Sequence, residues 1–428
     1  MKQIYILALA LVGISTTGIA QTPCDGGRYS TELFPAVTVT SNVLFGNNTS
    51  FTGASTDLFM DIYEPTGDTE TARPLIILAH GGSFIGGTRT DGDVVELANR
   101  FTKRGFVCVS IDYRLGMFPI NEAQGVKAVI RAVQDMKAAT RYFYEDRANA
   151  NLYKIDTNNI IIGGSSAGAI VALHMATLDK ECEIEPYISV SEFNTMGGID
   201  GTSGTPGYSS DIHAVISLAG ALASYGWLEA GDAPICSLQG DDDSVVPYGT
   251  GMASVSGFNV IQMDGSRIIK ERALSVGVQN NLYTHYGADH SPYAASASYM
   301  DTTVNFIGDF LVDFLGCTET VVQPANSPSG PADLYALTYC GLSVDVEAEM
   351  ITGLFPNPSE EFVNVEFGEG IETIQSVELV DVLGRVLNAF ELNSTSLVIA
   401  KSDYGTGTYF VRVTNKNGYS TAKKFIFK

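Results

Sequence analysis

The sequence has few basic residues and no long hydrophobic run. Its one notable apolar stretch, near the beginning, is short. Its 428 residues include 25 Lys and Arg against 48 Asp and Glu, which gives a formal net charge of −23. Nucleic acids and anionic membranes bind clustered basic side chains, so this balance argues against both as partners. A spanning helix needs roughly 20 apolar residues in a row. We therefore expect no nucleic-acid partner and no transmembrane segment in the mature protein.

The chain also lacks the spacings of common metal sites. It has five histidines and six cysteines, but no Cys-x-x-Cys or His-x-x-x-His pair. The run Asp241-Asp242-Asp243 offers three adjacent carboxylates and is an alternative cation site. A calcium loop, however, needs alternating oxygen ligands and a later Glu, and neither is present. We therefore predict no bound metal.

The six cysteines divide into two groups by their surroundings. Cys108 and Cys236 lie in apolar runs that are typical of buried strands, which favours free thiols in the core. The other four lie in segments typical of loops and are candidates for two disulfides in an exported chain: Cys24, Cys182, Cys317 and Cys340. Four cysteines allow three pairings, and the sequence does not choose among them.

The first twenty residues have the pattern of a secretory signal peptide. Lys2 supplies a positive charge, residues 4–12 form a short apolar stretch, and Gly18-Ile19-Ala20 is a small-x-small cleavage site. The apolar stretch is too short to span a membrane. We expect residues 1–20 to be removed and the protein to be exported.

The remaining chain changes character twice, which predicts two domains and a linker. Residues 21–317 alternate apolar strand and helix patterns, as in a mostly parallel sheet covered on both faces. Residues 180–212 are rich in Gly, Ser and Thr and form an insertion of unassigned role. Residues 318–349 contain several prolines and are predicted to be a linker. Residues 350–428 have short strands separated by turn residues, the pattern of a small all-β sandwich.

One glycine-rich turn carries a candidate nucleophile. Gly164-x-Ser166-x-Gly168 follows the apolar segment at residues 159–162 and precedes a predicted helix. A serine held between a strand and a helix on so sharp a turn needs glycines on both sides, because larger side chains would collide with the neighbouring backbone. The pattern predicts that the hydroxyl of Ser166 is lifted out of the sheet.

Three further loops follow predicted strands, at the carboxyl edge of the sheet, where ligands bind in folds with parallel strands. Two of them carry the expected oxyanion donors and the acid, and the third contains the base. After residues 74–79 come His80, Gly81, Gly82 and Ser83, whose backbone N–H groups are suited to hold an oxyanion. We expect Gly82, Ser83 and Ala167 to be the donors, with Gly81 as a replacement for one of them, and His80 to brace the loop. After residues 234–238 comes Asp243, the expected acid, with Asp241 and Asp242 as alternatives.

The base is chosen from only five histidines. His174 lies within the helix after Ser166, His213 precedes a strand, and His285 lies inside one. His290 alone lies in a glycine-bearing loop after a late strand. The order Ser166, Asp243, His290 is the order that hydrolases of the α/β type use.

These motifs carry a resemblance to a known family. HGGSF at 80–84, DYRL at 112–115, GGSSAG at 163–168, QGDDDSVVP at 239–247 and GADHSPY at 287–293 resemble α/β-hydrolase esterases of the hormone-sensitive-lipase and carboxylesterase kind. The family's acid motif usually begins His-Gly, and Gln239 stands in place of that histidine. The resemblance implies a doubly wound, mostly parallel sheet, ester hydrolysis through an acyl-enzyme, and no cofactor.

The C-terminal domain has a resemblance of its own. LFPNP at 354–358, VDVLGR at 380–385, GTGTYFVRV at 405–413 and Lys423-Lys424 are similar to the sorting domain of the Bacteroidetes type IX secretion system. This implies that the domain engages the secretion machinery and is then removed, which leaves a secreted or surface-attached protein. A carbohydrate-binding or adhesive module is the alternative for a small β domain.

Three functions follow as hypotheses. The first is a secreted serine carboxylesterase acting on polysaccharide-linked acyl groups, polyesters or lipid esters. The second is a peptidase or amidase of the same fold. Prolyl-oligopeptidase-type enzymes have a propeller domain before the hydrolase domain, and the segment between the predicted signal peptide and the first predicted strand is too short for one. The third is an inactive hydrolase fold that serves as an adhesion module.

Overall fold

The computed structural model describes residues 24–317, 320–330, 332, 334–335, 350–368, 374–381, 385–391, 394–416 and 420–428. The chain divides into two compact units between residues 337 and 338. The predicted signal peptide at residues 1–20 and Cys340 lie outside the described residues.

The first unit is built on an eight-stranded sheet in the order β1-β2-β4-β3-β5-β6-β8-β11. β2 runs antiparallel to β1 and β4, and the other neighbouring strands are parallel. A small antiparallel sheet, β7-β10-β9, stands apart from it. The strands of this unit are β1 (Val37–Thr49), β2 (Ser55–Pro65), β3 (Arg73–Ala79), β4 (Val107–Ile111), β5 (Ile155–Ser165), β6 (Ala214–Leu218), β7 (Ala221–Leu222), β8 (Ile235–Gly240), β9 (Thr250–Val255), β10 (Phe258–Gly265) and β11 (Asn280–His285).

Helices cover both faces of the large sheet. Every residue of β3 is buried, and its side chains alternate between two cores, with Ile77 packed on the α2 and α3 side and Ile76 on the α1 and α8 side. This double burial is why the strand is a continuous apolar run. The helices are α1 (Gly92–Thr102), α2 (Glu122–Ala148), α3 (Ala167–Thr177), α4 (Glu181–Ile184), α5 (Val190–Thr195), α6 (Ser266–Val276), α7 (Pro292–Ala295) and α8 (Ala297–Phe314). The predicted α/β fold class is confirmed.

The insertion at residues 180–212 contains α4 and α5 and is anchored to α2 by hydrogen bonds, one of them to the carboxylate of a buried ion pair. Asp135, which is fully buried on α2, accepts hydrogen bonds from Arg114 Nε at 2.9 Å and from Ser203 Oγ at 2.9 Å. Arg141 donates to the backbone oxygen of Ser203 at 2.8 Å. The many glycines and serines of this segment therefore belong to a loop that is tied down, because its backbone groups have partners on α2.

The first unit extends further along the chain than the boundary predicted at residue 317. Asn326 forms a β-bridge with Tyr283 in β11, and its Nδ2 donates to the carbonyl oxygen of Thr284 at 2.8 Å. Tyr335 Oη donates to Asp264 at 2.6 Å. Prolines in this stretch exclude regular structure, but the carbonyl and side-chain groups between them still pair with the unit.

The cysteines follow the expected division. Cys24 and Cys317 form a disulfide, and Cys182 is also disulfide-bonded. Cys108 and Cys236 are free and completely buried in β4 and β8. Burial raises the pKa of the Cys108 thiol to about 12, so it stays protonated.

The second unit is a small β domain with two antiparallel sheets, ordered β12-β13-β16 and β15-β14-β17-β18. Side chains from both sheets, among them Val363 and Val411, pack into one core. This arrangement confirms the predicted all-β class. The strands are β12 (Ile351–Phe355), β13 (Phe362–Phe367), β14 (Ile374–Asp381), β15 (Val386–Phe390), β16 (Ser396–Ala400), β17 (Gly407–Asn415) and β18 (Ser420–Phe427).

Within the first unit, β3, β5 and α3 approach each other more closely than side chains would allow. A Cβ atom on Gly164 would lie 2.5 Å from the carbonyl oxygen of Ala79, and one on Gly168 would lie 2.0 Å from it. Because the obstacle is strand backbone, nothing can move aside cheaply. Both glycines are therefore required by the crossing of the helix over the end of β3.

We predict that Gly168→Ala lowers the free energy of unfolding by about 3 kcal/mol, since the added methyl overpacks a rigid backbone contact. The measurement is chemical denaturation followed by the fluorescence of Trp227, the single tryptophan of the chain. Gly92→Ala at the start of α1 is the matched control. A Cβ there meets no atom within 4 Å, so stability should be unchanged or slightly higher. Equal stability of Gly168→Ala and wild type would contradict the crowding argument.

Candidate active site

Ser166 lies at the sharp turn between β5 and α3. Its backbone has φ 53°, a left-handed conformation that a residue with a side chain rarely adopts. The turn is fixed because the N–H of Ser166 donates to the carbonyl oxygen of Leu218 in β6 at 2.8 Å. Strain of this kind concentrates at functional sites and persists only where the surroundings impose it. The flanking glycines leave room for the turn, as the sequence pattern predicted.

The structure brings Ser166, His290 and Asp243 together. His290 Nε2 lies 2.8 Å from Ser166 Oγ, and His290 Nδ1 lies 2.9 and 2.8 Å from the two carboxylate oxygens of Asp243. A carboxylate only accepts hydrogen bonds, so Nδ1 carries the proton. In the neutral ring Nε2 is then an acceptor facing the serine hydroxyl. This geometry suits removal of a proton from Ser166.

Asp243 is held rigidly as the partner of His290. Its side chain has no exposed surface, and Oδ1 accepts the N–H groups of Val245 at 3.0 Å and Val246 at 2.9 Å. Gln239 Nε2 donates to Oδ2 at 3.2 Å and also to the carbonyl oxygen of Val246. Gln239 thus occupies the place of the family's usual histidine and supports the acid loop.

The two alternative acids have other surroundings. Asp241 accepts the N–H of Gly287 at 2.6 Å, and Asp242 is exposed. The three adjacent carboxylates therefore point to different partners and do not converge on one cation. Among the described residues, no group of three or more His, Cys, Asp or Glu side chains is arranged to hold a metal ion.

The loops that carry Asp243 and His290 are joined to each other. Asp289 Oδ1 accepts the N–H and hydroxyl of Ser244, at 2.9 and 2.8 Å, and the N–H of His290 at 2.7 Å. Hydrogen bonds from Ser244 and from the His290 backbone lower the pKa of this exposed carboxylate. A Cβ on Gly240 would lie 2.1 Å from the carbonyl oxygen of Ala288. The two loops thus pack backbone against backbone and position the acid and the base together.

The loop after β3 lies directly against Ser166. Gly82, Ser83 and Phe84 all have positive φ, and a Cβ on Gly81 would be 3.4 Å from Ser166 Cβ. Ala167 is the first residue of α3, so its N–H has no acceptor within the helix. The N–H groups expected to hold an oxyanion therefore belong to the segments that surround the serine.

His80 is buried beneath this loop. Its Nδ1 is 2.6 Å from the carbonyl oxygen of Gly81, and its ring stacks on Tyr113 with centroids 4.3 Å apart. Tyr113 Oη donates to the carbonyl oxygen of His80 at 3.0 Å. Burial lowers the pKa of His80. Its contacts are those of a brace, which is the role predicted for it.

The remaining histidines have hydrogen-bond or ring partners outside the Ser166–His290–Asp243 set. His174 on α3 donates from Nδ1 to the carbonyl oxygen of Ile170 and accepts the N–H of Ala223 at Nε2. His285 at the end of β11 lies among Tyr283 and Tyr299, and its Nε2 has no hydrogen-bond partner. Burial lowers the pKa of each to about 4. His213 Nδ1 accepts the N–H of Ile160.

Two supporting residues were missed from the sequence. Gln239 was treated only as a departure from the family motif, although its place at the buried end of β8 is a signal for a supporting role. Tyr293 was quoted within a motif without a function. Its buried hydroxyl lies 2.9 Å from Ser165 Oγ and 3.0 Å from Ser291 Oγ, and it donates to the carbonyl oxygen of Leu218. Tyr293 therefore ties the base loop to the residue before Ser166, a contact between distant segments that no local pattern reveals.

An apolar cavity opens beside Ser166. Ser83, Phe84 and Ala167 line it next to the serine, and the remaining walls come from α2, α3, α4, β9, β10 and the loops beside them. No Asp, Glu, Lys or Arg is present among its described lining residues. A cavity of this composition binds apolar groups.

The strand order, the helix-covered sheet and the position of Ser166 define the first unit as an α/β-hydrolase fold. Residues 60–221 match the BD-FAE family model, and residues 353–428 match the family described as the secretion system C-terminal sorting domain. The chain therefore carries an esterase-like α/β-hydrolase domain followed by a type IX sorting domain, and the resemblances noted in the sequence are confirmed. A sorting domain of this kind indicates a secreted or cell-surface protein that uses the secretion machinery.

Two curated proteins are similar to part of the chain. The quorum-quenching protein AidA of Acinetobacter baumannii is 34% identical over 119 residues, which are 28% of this chain and 35% of AidA. The neuroligin-like protein glit-1 of Caenorhabditis elegans is 27% identical over 121 residues, which are 28% of this chain and 16% of that protein. The matched segment thus spans a minor part of each relative.

Solved structures with similarity to the chain include esterase 2 of Thermogutta terrifontis. Its apo form has a TM-score of 0.47 at 20% identity, over 68% of this chain and 100% of that one. Its propionate-bound form has a TM-score of 0.46 at 20% identity, over 67% and 97%. Among the described residues of our chain, no helix has the length and apolar character to cross a membrane.

The lowered pKa values of His174 and His285 predict acid sensitivity. Because both rings are neutral when folded, the unfolded chain binds protons first, and stability is lost as the pH falls from about 6.5 towards 4. We expect His285→Phe to make the fall in unfolding free energy over this range smaller by about 1–2 kcal/mol. Denaturation at pH 7 to 4, followed by Trp227 fluorescence, measures it. Parallel stability curves for variant and wild type would contradict the prediction.

Proposed function

We propose that the protein is a secreted serine carboxylesterase in which Ser166 is the nucleophile, His290 the base and Asp243 the residue that orients the base. The observation that carries this proposal is the 2.8 Å contact between Ser166 Oγ and His290 Nε2, with His290 Nδ1 held by Asp243. The substrates are carboxylic esters such as polysaccharide-linked acyl groups, polyesters or lipid esters. No metal or cofactor takes part in this scheme.

In the first half-reaction Ser166 Oγ attacks the ester carbonyl carbon while His290 Nε2 takes the hydroxyl proton. Asp243, on the opposite side of the ring, stabilises the imidazolium that forms. Collapse of the tetrahedral intermediate breaks the ester C–O bond, and His290 gives its proton to the leaving alcohol. A water molecule, deprotonated by His290, then releases the acid and regenerates Ser166.

The negative charge on the carbonyl oxygen is held by the N–H groups of Gly82, Ser83 and Ala167. Each such donor contributes about 3–4 kcal/mol of transition-state stabilisation. The left-handed backbone of Gly82 and Ser83 and the free N–H at the start of α3 support this assignment, because both are built before substrate binds. No rearrangement is then needed during the reaction.

The export route is part of the proposal. Residues 1–20 act as the signal peptide to the periplasm, and the domain at 350–428 directs passage across the outer membrane and is then removed. The match of residues 353–428 to a sorting domain supports this route. The catalytic domain begins at residue 21 and includes residues 21–317, and it meets the ester substrate outside the cell.

Labelling by a fluorophosphonate probe tests the nucleophile. We expect the wild-type protein to be labelled and Ser166→Ala to be unlabelled, because the probe bonds covalently to an activated serine. Ser275→Ala, at an exposed serine on α6, is the control, and it should retain labelling. Equal labelling of wild type and Ser166→Ala would contradict the catalytic role, and cleavage of peptides with no hydrolysis of any ester would favour a peptidase.

The acid assignment is tested by neighbouring aspartates. Asp243→Asn should lower kcat for p-nitrophenyl butyrate by about 10⁴-fold, because the amide favours the wrong histidine tautomer. Asp242→Asn, at the exposed neighbour, should leave kcat within about twofold of wild type, as expected for a surface substitution. A collapse in Asp242→Asn with near-normal turnover in Asp243→Asn would move the acid by one position.

A further inference from the structure

The cavity beside Ser166 follows one face of α3 for its whole length. Ile170, His174 and Leu178 all line it, and they follow Ser166 at intervals of four residues. Residues four apart lie on the same face of a helix and form a row inclined to its axis, so the cavity is a groove that runs along the helix. From Ser166 to Leu178 the helix rises roughly 18 Å at about 1.5 Å per residue. We call this cavity the α3 groove.

Aromatic and aliphatic side chains pack together at the far end of the groove. Trp227 meets the edge of His174 at a centroid distance of 5.3 Å and the edge of Tyr187 at 5.7 Å. Leu178 and Ile184 pack into the same cluster as Trp227. A ligand that enters at Ser166 therefore has a limited length available to it.

The polar groups of His174 and Tyr187 in the groove are already paired within the protein. Both ring nitrogens of His174 are used, by the carbonyl oxygen of Ile170 and the N–H of Ala223. Tyr187 Oη donates to the carbonyl oxygen of Ala223 at 3.0 Å. A ligand with hydroxyl groups would lose its hydrogen bonds to water here and gain few in return. The groove thus disfavours sugars and phenols and favours hydrocarbon.

The position of His290 indicates which half of an ester enters the groove. His290 must give a proton to the leaving alcohol, so the alcohol lies on the His290 side of Ser166. The groove is lined by Ser83 and Ala167, and His290 is not among its described lining residues. The acyl half is therefore the part that extends along α3.

We propose that the α3 groove binds an unbranched aliphatic acyl chain of about eight to twelve carbons, given that an extended chain advances about 1.2 Å per bond and that Leu178 and Trp227 fill the last turn. This rests on the proposed esterase function and narrows its substrates to medium-chain acyl esters. Each methylene buried in the groove raises kcat/KM by about two- to fourfold until the groove is filled.

The test uses the full chain with p-nitrophenyl esters of two to sixteen carbons. Two variants obstruct the groove at different depths: Ile170→Phe one turn from Ser166, and Leu178→Trp at the far end. We expect Ile170→Phe to lower the decanoate-to-acetate ratio of kcat/KM at least tenfold. Leu178→Trp should lower the dodecanoate-to-butyrate ratio while the preferred chain shortens. Met175→Phe, a buried α3 residue outside the groove lining, is the control, and its chain-length profile should match that of wild type.

The outcomes separate this proposal from the one it rests on. A profile that peaks at acetate, or one that neither groove variant changes, would refute the acyl groove while leaving the esterase intact. So would a length dependence seen with alkyl acetates, which vary the alcohol, and not with the acyl series. Failure to hydrolyse every ester together with failure of fluorophosphonate labelling would refute the esterase function and the groove with it. A variant-dependent truncation of the profile is a result that a general folding defect cannot produce.

Discussion

The contact on which the site depends is the one between the carbonyl end of β3 and the first turn of α3. Gly164 and Gly168 permit an approach in which any Cβ would collide with Ala79. That closeness brings the loop after β3 against Ser166 and forces the serine into its left-handed conformation. Three features of the site, the raised hydroxyl, the neighbouring N–H groups and the free start of a helix, thus have one cause. All three are consequences of how the backbone segments pack, and none of them depends on the chemistry of the side chains.

The acid and base depend on a second contact of the same kind. Gly240 admits the backbone of Ala288, and Asp289 then links the two loops by hydrogen bonds to Ser244 and His290. Because Asp243 and His290 stand on segments that are joined to each other, a displacement of one moves the other. Tyr293 connects this pair of loops to the residue before Ser166. The distance between serine and histidine is therefore maintained by polar contacts outside the triad.

The sequence was sufficient for the parts of the molecule that follow local rules. Continuous apolar runs predicted the buried strands, and the glycine spacing around Ser166 predicted the turn, since each is set by neighbours in the chain. Features that depend on distant segments were not accessible. The role of Tyr293 and the hydrogen bond from Tyr335 to Asp264 arise from contacts over long sequence separations. Gln239 contacts Asp243 only four residues away, but the fold of the loop that brings their side chains together is not apparent in the sequence. The hairpin β9–β10 was missed for a different reason. Its strands are only half buried, so they have no continuous apolar run that would mark them as strands. The prolines after residue 318 predicted a linker. Proline excludes regular secondary structure, but it does not prevent neighbouring residues such as Asn326 and Tyr335 from forming hydrogen bonds to the first unit.

The disulfide between Cys24 and Cys317 joins residues that are 293 positions apart in the sequence. A link across so long a loop restricts the unfolded chain and contributes on the order of 5 kcal/mol in the chain-entropy model. It also makes the hydrolase unit covalently circular along most of its length. If a protease cuts one exposed loop, the disulfide keeps the two fragments in one covalent molecule. Refolding of the nicked protein then remains intramolecular, as it is for the intact chain. Durability after proteolytic damage, where no chaperone or resynthesis is available, is thus built into the covalent structure.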